Sequence, residues 1–426
     1  MMKANGVPPP RLRRDPYLKG GVLVACALVL VVSLAPADIV SDICAYGTTS
    51  PSFEGVLQSL RGLQANPRIH VSNLGSTRQG RPLSLIVVHD PAVPVEQTVR
   101  VFIVARQHGT EASGTVACLA LARHFARAEG ETERALLRQL SLIMVPVANP
   151  DGMCAGQRNN AAGRDLNRHW AEGGDPEISA IKTAVRKYQP HALIDMHELP
   201  AATSKPSFRD NFIQTIGRDS SLRTDLTTDC SLTSARLASW LSQCGIPLSV
   251  YYDGAGEQLN LCHRYFGLGE GIPSYLFEAK CGPGRPLTER VRFQVLSALI
   301  VANYALHRYF EASEEPAVAT PPAEVAPPSV ATTVALQAPQ PDQVARGQLP
   351  VVAAVTGLPA GGYLCFAVDG QLKSLTTAAP HEYLLDTLAC TDGRHEITVE
   401  VCDATGRSLG VARSAIVVDN KLAAAQ

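Results

Sequence analysis

The chain predicts a layered α/β domain with a mostly parallel sheet, followed by a small all-β module. Three observations carry this. Between about residues 51 and 312, apolar runs of strand length alternate with amphipathic runs of helical length, the pattern of βα units that close a parallel sheet. Residues 313–349 then hold seven prolines among Ala, Val, Glu and Gln with no apolar period, the composition of an extended linker. From residue 350, short β-branched runs are separated by Asp-Gly turn signals, which suggests a small β-sandwich.

Strands are expected at Leu83–Val88, Val101–Ala105, Leu142–Val147, Ala192–Met196, Pro247–Tyr251 and Ser274–Glu278, each apolar and rich in β-branched or aromatic residues. Helices are expected at Ser113–Ala128, Pro176–Tyr188, Ser231–Cys244 and Leu287–Phe310. In the last of these, Val291, Val295, Leu299 and Ala302 recur at helical spacing. In the tail, Val351–Thr356, Tyr363–Val368, Glu396–Val401 and Ala412–Val418 read as strands. Phe366-Ala-Val-Asp-Gly370 and the run from Asp392 to Val401 resemble bacterial Ig-like modules appended to secreted hydrolases. No residue there looks catalytic, which favours a spacer or a cell-wall or glycan contact.

With 426 residues and 46% hydrophobic content, the chain exceeds one ordinary domain and can bury a large core. A formal net charge of −1 gives no electrostatic case for a nucleic-acid partner, which needs clustered Lys and Arg. Arg11, Arg13, Arg14 and Lys19 precede an apolar run from Gly20 to Ala35, and Ala35-Pro-Ala37 follows. That arrangement reads as an export signal cleaved after Ala37, or as an uncleaved anchor in the inner membrane through residues 20–36. Either way the body is expected to be periplasmic or secreted. The expected division is therefore 1–37 signal or anchor, 38–312 catalytic domain, 313–349 linker and 350–426 Ig-like domain. Eleven cysteines with no CxxC spacing suit an oxidising compartment and argue against a zinc ribbon. Cys365, Cys390 and Cys402 form an odd trio whose pairing the sequence leaves open.

The chemistry begins at His108-Gly-Thr-Glu111, directly after the strand Val101–Ala105, and at His197, directly after Ala192–Met196. Two imidazoles and one carboxylate can hold one Zn²⁺ and leave a coordination position open, as a catalytic zinc requires. His-x-x-Glu alone is a weak signal. The stretch after Asn149-Pro-Asp-Gly152 strengthens it, because Arg158, Asn167 and Arg168 form a short polar run suited to clamping a carboxylate. Glu278 closes an apolar strand, where an unpaired carboxylate is costly, so a functional reading is favoured over a structural one. Asp195 shares a strand face with His197 and satisfies backbone groups in the plain reading. Glu198 is a candidate for lining the site. His89, His169, His191 and His263 read as surface or polar-loop residues.

Taken in order, His108-Gly-Thr-Glu111, Asn149-Pro-Asp-Gly152, Arg158, Asp165-Leu-Asn-Arg168, Asp195-Met-His197 and Tyr275-Leu-Phe-Glu278 resemble the zinc carboxypeptidase family of the carboxypeptidase A type, over roughly residues 51–312. The resemblance implies a three-layer α/β/α fold around a mixed, mostly parallel sheet. It implies one Zn²⁺ per chain, held by His108, Glu111 and His197. Glu278 would be the general base and Arg158 would polarise the scissile carbonyl. Asn167 and Arg168 would hold the substrate's terminal carboxylate, and Asp165 would orient His108. Tyr252, with Tyr251 as its rival, would be the residue that swings over the substrate. The substrate implied is a peptide, or a muropeptide from peptidoglycan, with a free C-terminal carboxylate. The competing activity is deacylation of N-acyl amino acids, as in the aspartoacylase and succinylglutamate desuccinylase branch. A catalytically inactive binding protein is the alternative from another class; retention of Glu278 and the clamp speaks against it.

Overall fold

The computed structural model describes residues 42–202, 210–216, 224–246, 248–252, 258–311, 332–359, 362–377, 379–403 and 407–420. The basic and apolar N-terminal run lies outside these residues. Among the described residues, no helix is long and apolar enough to cross a membrane.

Eight strands build the catalytic part of the sheet: β1 (Ile69–Ser76), β2 (Pro82–Val88), β3 (Val99–Ala105), β4 (Leu140–Val145), β5 (Ala192–Leu199), β6 (Asn211–Thr215), β7 (Leu248–Tyr252) and β8 (Ser274–Lys280). Their order is β1-β2-β4-β3-β5-β8-β6-β7. The central run β4-β3-β5-β8 is parallel; β2 and β6 join its two ends antiparallel, β1 pairs antiparallel with β2, and β7 runs parallel to β6. Every residue of β3 is buried, as a central strand covered on both faces must be. Its alternate side chains feed two cores. Val101, Ile103 and Ala105 pack with helices α1 (Phe53–Leu63), α2 (Ser113–Arg127), α6 (Thr224–Gln243) and α7 (Leu287–Glu311). Phe102 and Val104 pack on the other side with Trp170, Phe266 and the apolar stripe of α5 (Pro176–Tyr188). The result is the three-layer α/β/α sandwich expected.

Two short helices complete this part: α3 (Glu131–Leu137) and α4 (Pro150–Ala155). Local chemistry sets the helix starts. Ser52 caps α1 by accepting from the Gly55 amide. Asn149 caps α4 in the same way, Pro150 occupies its first turn, and Gly156 closes it at φ +63°. The run Asn149-Pro-Asp-Gly152, whose Pro-Asp-Gly is also turn chemistry, is thus a capped helix start.

The strand expected to end at Met196 continues through Leu199, so His197 lies inside β5 rather than in the loop after it. The cause is tertiary. β8 runs alongside to Lys280, pairing His197 with Glu278, Glu198 with Ala279 and Leu199 with Lys280. β1 and β6 were not expected. β1, at the sheet edge, buries only Ile69 and leaves its other residues partly or fully exposed, and β6 is five residues long, so neither carries a strong apolar run.

The tail is all-β: β9 (Thr333–Ala338), β10 (Gln343–Ala345), β11 (Gln348–Thr356), β12 (Tyr363–Val368), β13 (Gln371–Thr376), β14 (His381–Asp386), β15 (Gly393–Cys402) and β16 (Ser408–Val418). β9, β10 and the start of β11 fall within the stretch expected to be linker. β9 is an edge strand whose side chains alternate between exposed and half-buried, so it needs little apolar sequence and its composition masks it. A three-stranded sheet, β14-β11-β9, shares a core with β12, β15 and β16 through Val351, Phe366, Val399 and Ile416.

This module is not a bead on a string. β13 pairs antiparallel with β7, matching Ser374 with Tyr251, Leu375 with Val250 and Thr376 with Ser249. The two domains therefore share one thirteen-stranded sheet. Tyr363, Leu375 and Cys402 join the helix-side core of the catalytic part. β7 would otherwise be an open edge with unpaired backbone groups.

Candidate metal centre

His108 and Glu111 follow the end of β3 in a tight turn, with the Glu111 amide donating to the His108 carbonyl at 3.1 Å. The turn packs closely on the start of α4. A Cβ on Gly109 would lie 2.1 Å from the Gly152 carbonyl carbon, so only glycine fits there. Arg106, at φ +58°, secures the turn by donating Nε to the Gly109 carbonyl at 2.9 Å.

Glu111 Oε1 lies 2.7 Å from His108 Nδ1, and Oε2 lies 2.9 Å from His197 Nδ1. The two Nδ1 atoms are 3.1 Å apart. All three residues are buried, and they are the one group of potential metal ligands found among the described residues. Zinc with bonds of about 2.1 Å places tetrahedral donors roughly 3.4 Å apart, so the donor set fits the ion after a small expansion. The tautomers fit as well. His108 Nε2 lies 3.0 Å from Asp165 Oδ1, and His197 Nε2 lies 2.9 Å from Asp195 Oδ1. Carboxylates on both Nε2–H groups leave both Nδ1 lone pairs for a metal.

The electrostatics follow from packing these charges together without water. Burial alone would raise Glu111, but the charge and hydrogen bonds of His197 and His108 outweigh it and hold Glu111 at about 2. Burial opposes protonation of His197, yet Asp195 and Glu111 overcome it and push His197 well above its ordinary value. Glu278 faces His197 across neighbouring strands. Burial pushes it up to about 8, with Glu111 and Asp195 adding to the rise and His197 and Arg158 opposing it. Its Oε2 is buried with no hydrogen-bond partner among the described residues, which leaves it available to a group arriving in the site.

Arg158 donates to Asp165 Oδ2 through Nε at 3.0 Å and Nη2 at 2.9 Å, and its Nη1 lies 3.6 Å from Glu111 Oε1. Asp165 is held below the usual carboxylate range: burial raises it, and His108 and Arg158 lower it by more. It thus links a metal-ligand imidazole to a half-exposed guanidinium. Arg168 is exposed and donates Nη1 to the Asn167 carbonyl at 2.8 Å. Asn167 departs from the expected clamp. It is buried, its Oδ1 accepts from the Cys262 amide at 2.8 Å, and its Nδ2 lies 3.0 Å from His197 Nε2. It packs the back of a metal ligand instead of facing an incoming carboxylate. Tyr252 ends β7; its side chain and residues 253–257 of the expected substrate loop lie outside the described residues.

Two supporting residues carried weaker signals. Asp195 was expected to satisfy backbone groups, but it orients His197 and accepts from Gln107 Nε2 at 2.6 Å; its i, i+2 spacing on one strand was the available clue. Glu198 does not line the site. Its Oε1 accepts from the Ser113 amide at 2.8 Å and pairs with Arg290 Nη1 at 2.6 Å. It therefore caps α2, whose own cap residue, Ala112, has no side-chain acceptor. His263 is fully buried, not a surface residue, and His191 is tied to the Arg100 amide. Neither contributes to the metal group.

Comparison with known proteins agrees with this geometry. Residues 56–199 match the zinc carboxypeptidase family, a span that contains all three ligands and stops before Glu278. The chain is 28% identical over 172 residues to the probable carboxypeptidase 2 of Trichophyton verrucosum, covering 38% of this chain and 33% of that protein. It thus spans about a third of the length of that relative. Among solved structures, a metallo-carboxypeptidase from Burkholderia cenocepacia superposes with a TM-score of 0.50 at 24% identity, covering 62% of this chain and 70% of the other. The carboxypeptidase A of Helicoverpa armigera gives 0.51 at 17% identity, covering 63% and 75%. At these identities the structural likeness speaks to the fold. The family match and the converging ligands show that residues 56–199 carry a zinc carboxypeptidase domain, with His108, Glu111 and His197 as its metal-binding group.

Proposed function

We propose that the chain is an exported metallocarboxypeptidase that hydrolyses the last amide bond of peptides ending in a free carboxylate. The observation that carries this reading is the placement of Glu278. Its unpartnered Oε2 sits across one strand step from ligand His197, whereas Glu111, Asp165 and Asp195 each engage a ligand imidazole. Zinc, when bound, lowers the pKa of a coordinated water to about 7 and polarises a carbonyl. Glu278 would take a proton from the attacking water at Oε2 and pass it to the leaving amine. Arg158, half-exposed beside Glu111, faces charge that develops on the carbonyl oxygen. Exposed Arg168 takes the terminal carboxylate, and Tyr252 covers the substrate.

The basic and apolar N-terminus supports the exported reading, and export makes peptidoglycan stem peptides a substrate class alongside protein C-termini. The all-β tail would then meet cell wall or glycan. The test is release of the C-terminal residue from dipeptides and muropeptides by the zinc-loaded full chain. Glu278→Gln is expected to lower the rate at least about 10²-fold with zinc content unchanged. A protein that binds one zinc and cleaves neither panel would overturn the proposal. Full activity in Glu278→Gln would remove Glu278 as the base.

A further inference from the structure

The Cys trio of the tail is not arranged at random. β12 and β15 run antiparallel with Tyr363 opposite Cys402 and Cys365 opposite Glu400. Side chains alternate across a strand, so Tyr363, Cys365, Glu400 and Cys402 share one face, with the two cysteines on its diagonal. Their side chains meet: the Cys365 side chain is hydrogen-bond partner to the Cys402 thiol. The same face carries Tyr363 and Leu375 into the helix-side core of the catalytic part, with Cys402 buried among them and Cys365 packed against them. Cys390 follows a short helical turn, Thr387–Ala389, outside these strands.

We propose that Cys365 and Cys402 are a disulfide site that ties β12 to β15 on the face of the β-module that packs against the catalytic core. Both are thiols in the structure. Bridging needs the two Cβ atoms to close to about 4 Å, and a strict cross-strand diagonal is wider than that. The end of the ladder supplies the slack. Tyr363 and Cys402 are the terminal pair of the β12–β15 ladder, and Cys402 is the last residue of β15, so its backbone can shift toward Cys365 without breaking an interior pair.

The chemistry balances as thiol–disulfide exchange. One cysteine thiolate attacks an oxidised disulfide donor, giving a mixed disulfide and releasing one donor thiol. The second cysteine attacks that mixed disulfide, forming the Sγ–Sγ bond and releasing the other donor thiol. Two electrons pass to the donor, and the two cysteine protons end on the released thiols. The bond lies within the β-module and closes a loop that includes β13, the strand that pairs with β7.

The test uses the full chain equilibrated with oxidised and reduced glutathione, then alkylated and mapped by mass spectrometry. The expected result is one peptide pair linked through Cys365 and Cys402, with Cys390 and exposed Cys154 alkylated. Thermal unfolding should shift up by roughly 5 °C on oxidation, and the shift should vanish in Cys365→Ser. Cys365 is the less buried partner, so that variant is the one to retain the fold; mapping of the wild type stands even if Cys402→Ser does not fold. Quantitative alkylation of both cysteines after oxidation would overturn the proposal. So would either cysteine bonded to Cys390, or an oxidation-dependent shift that persists in Cys365→Ser.

Discussion

Asp195→Asn tests how the protein prepares His197 for zinc. Asp195 is fully buried, its Oδ1 lies 2.9 Å from His197 Nε2, and its Oδ2 has no partner among the described residues. The amide keeps the shape but removes the charge that fixes the tautomer and enriches the ring. Loss of such an outer carboxylate weakens metal binding about 10–100-fold, or roughly 1.4–2.7 kcal/mol. Protonation modifies this with pH. His197 must be neutral to ligate, yet the metal-free fold holds its proton well above the ordinary value, because Asp195 and Glu111 outweigh burial. That raised value stabilises the metal-free fold below the ordinary histidine range and is lost as pH rises through the folded value. Zinc must displace the same proton. The wild-type affinity should therefore fall with acidification, starting from the raised His197 value. In Asp195→Asn the fall should start at lower pH, so the deficit is largest in alkaline buffer and narrows toward neutrality. Competition titration against a zinc chelator from pH 6 to 9 measures both curves, and calorimetry in buffers of different ionisation enthalpy counts the released protons. Wild-type affinity of the variant at pH 9, or a deficit that widens on acidification, would refute this account.

Arg158→Ala should lower kcat about 10²–10³-fold while changing stability by under about 1 kcal/mol, since the guanidinium is nearly half exposed; steady-state kinetics beside urea unfolding separates the two. Asn167→Ala should cost about 1–3 kcal/mol of stability, because it strands the buried Cys262 amide; an unchanged urea midpoint would return Asn167 to the substrate clamp. Replacing Arg168 with Ala should raise KM for peptides with a free carboxylate far more than for amidated ones, and equal effects would exclude it. Leu375→Ala should cost about 2–4 kcal/mol and lower the melting temperature of the whole chain, because Leu375 is buried in the catalytic core although it belongs to the tail; unfolding of the tail alone would show that the shared core does not couple the two parts.

The donor set and the layers were legible in residue types and their spacing. Apolar runs as strong as β3 admit only a covered central strand. His108, Glu111 and His197 follow from residue types whose chemistry needs no coordinates to state. Asp165 and Glu278 were legible through their place in an ordered set of motifs. Tertiary structure alone decided what those side chains face. Asn167 turned inward because the backbone amide of Cys262, ninety-five positions away, needed an acceptor. Glu198 went to α2 because Ala112 cannot cap a helix. His197 entered a strand because β8 extends alongside it. The union of the two sheets was hidden for the same reason. β7 and β13 are short and joined by hydrogen bonds between backbones, which every residue can make, so no side-chain pattern announces the pairing.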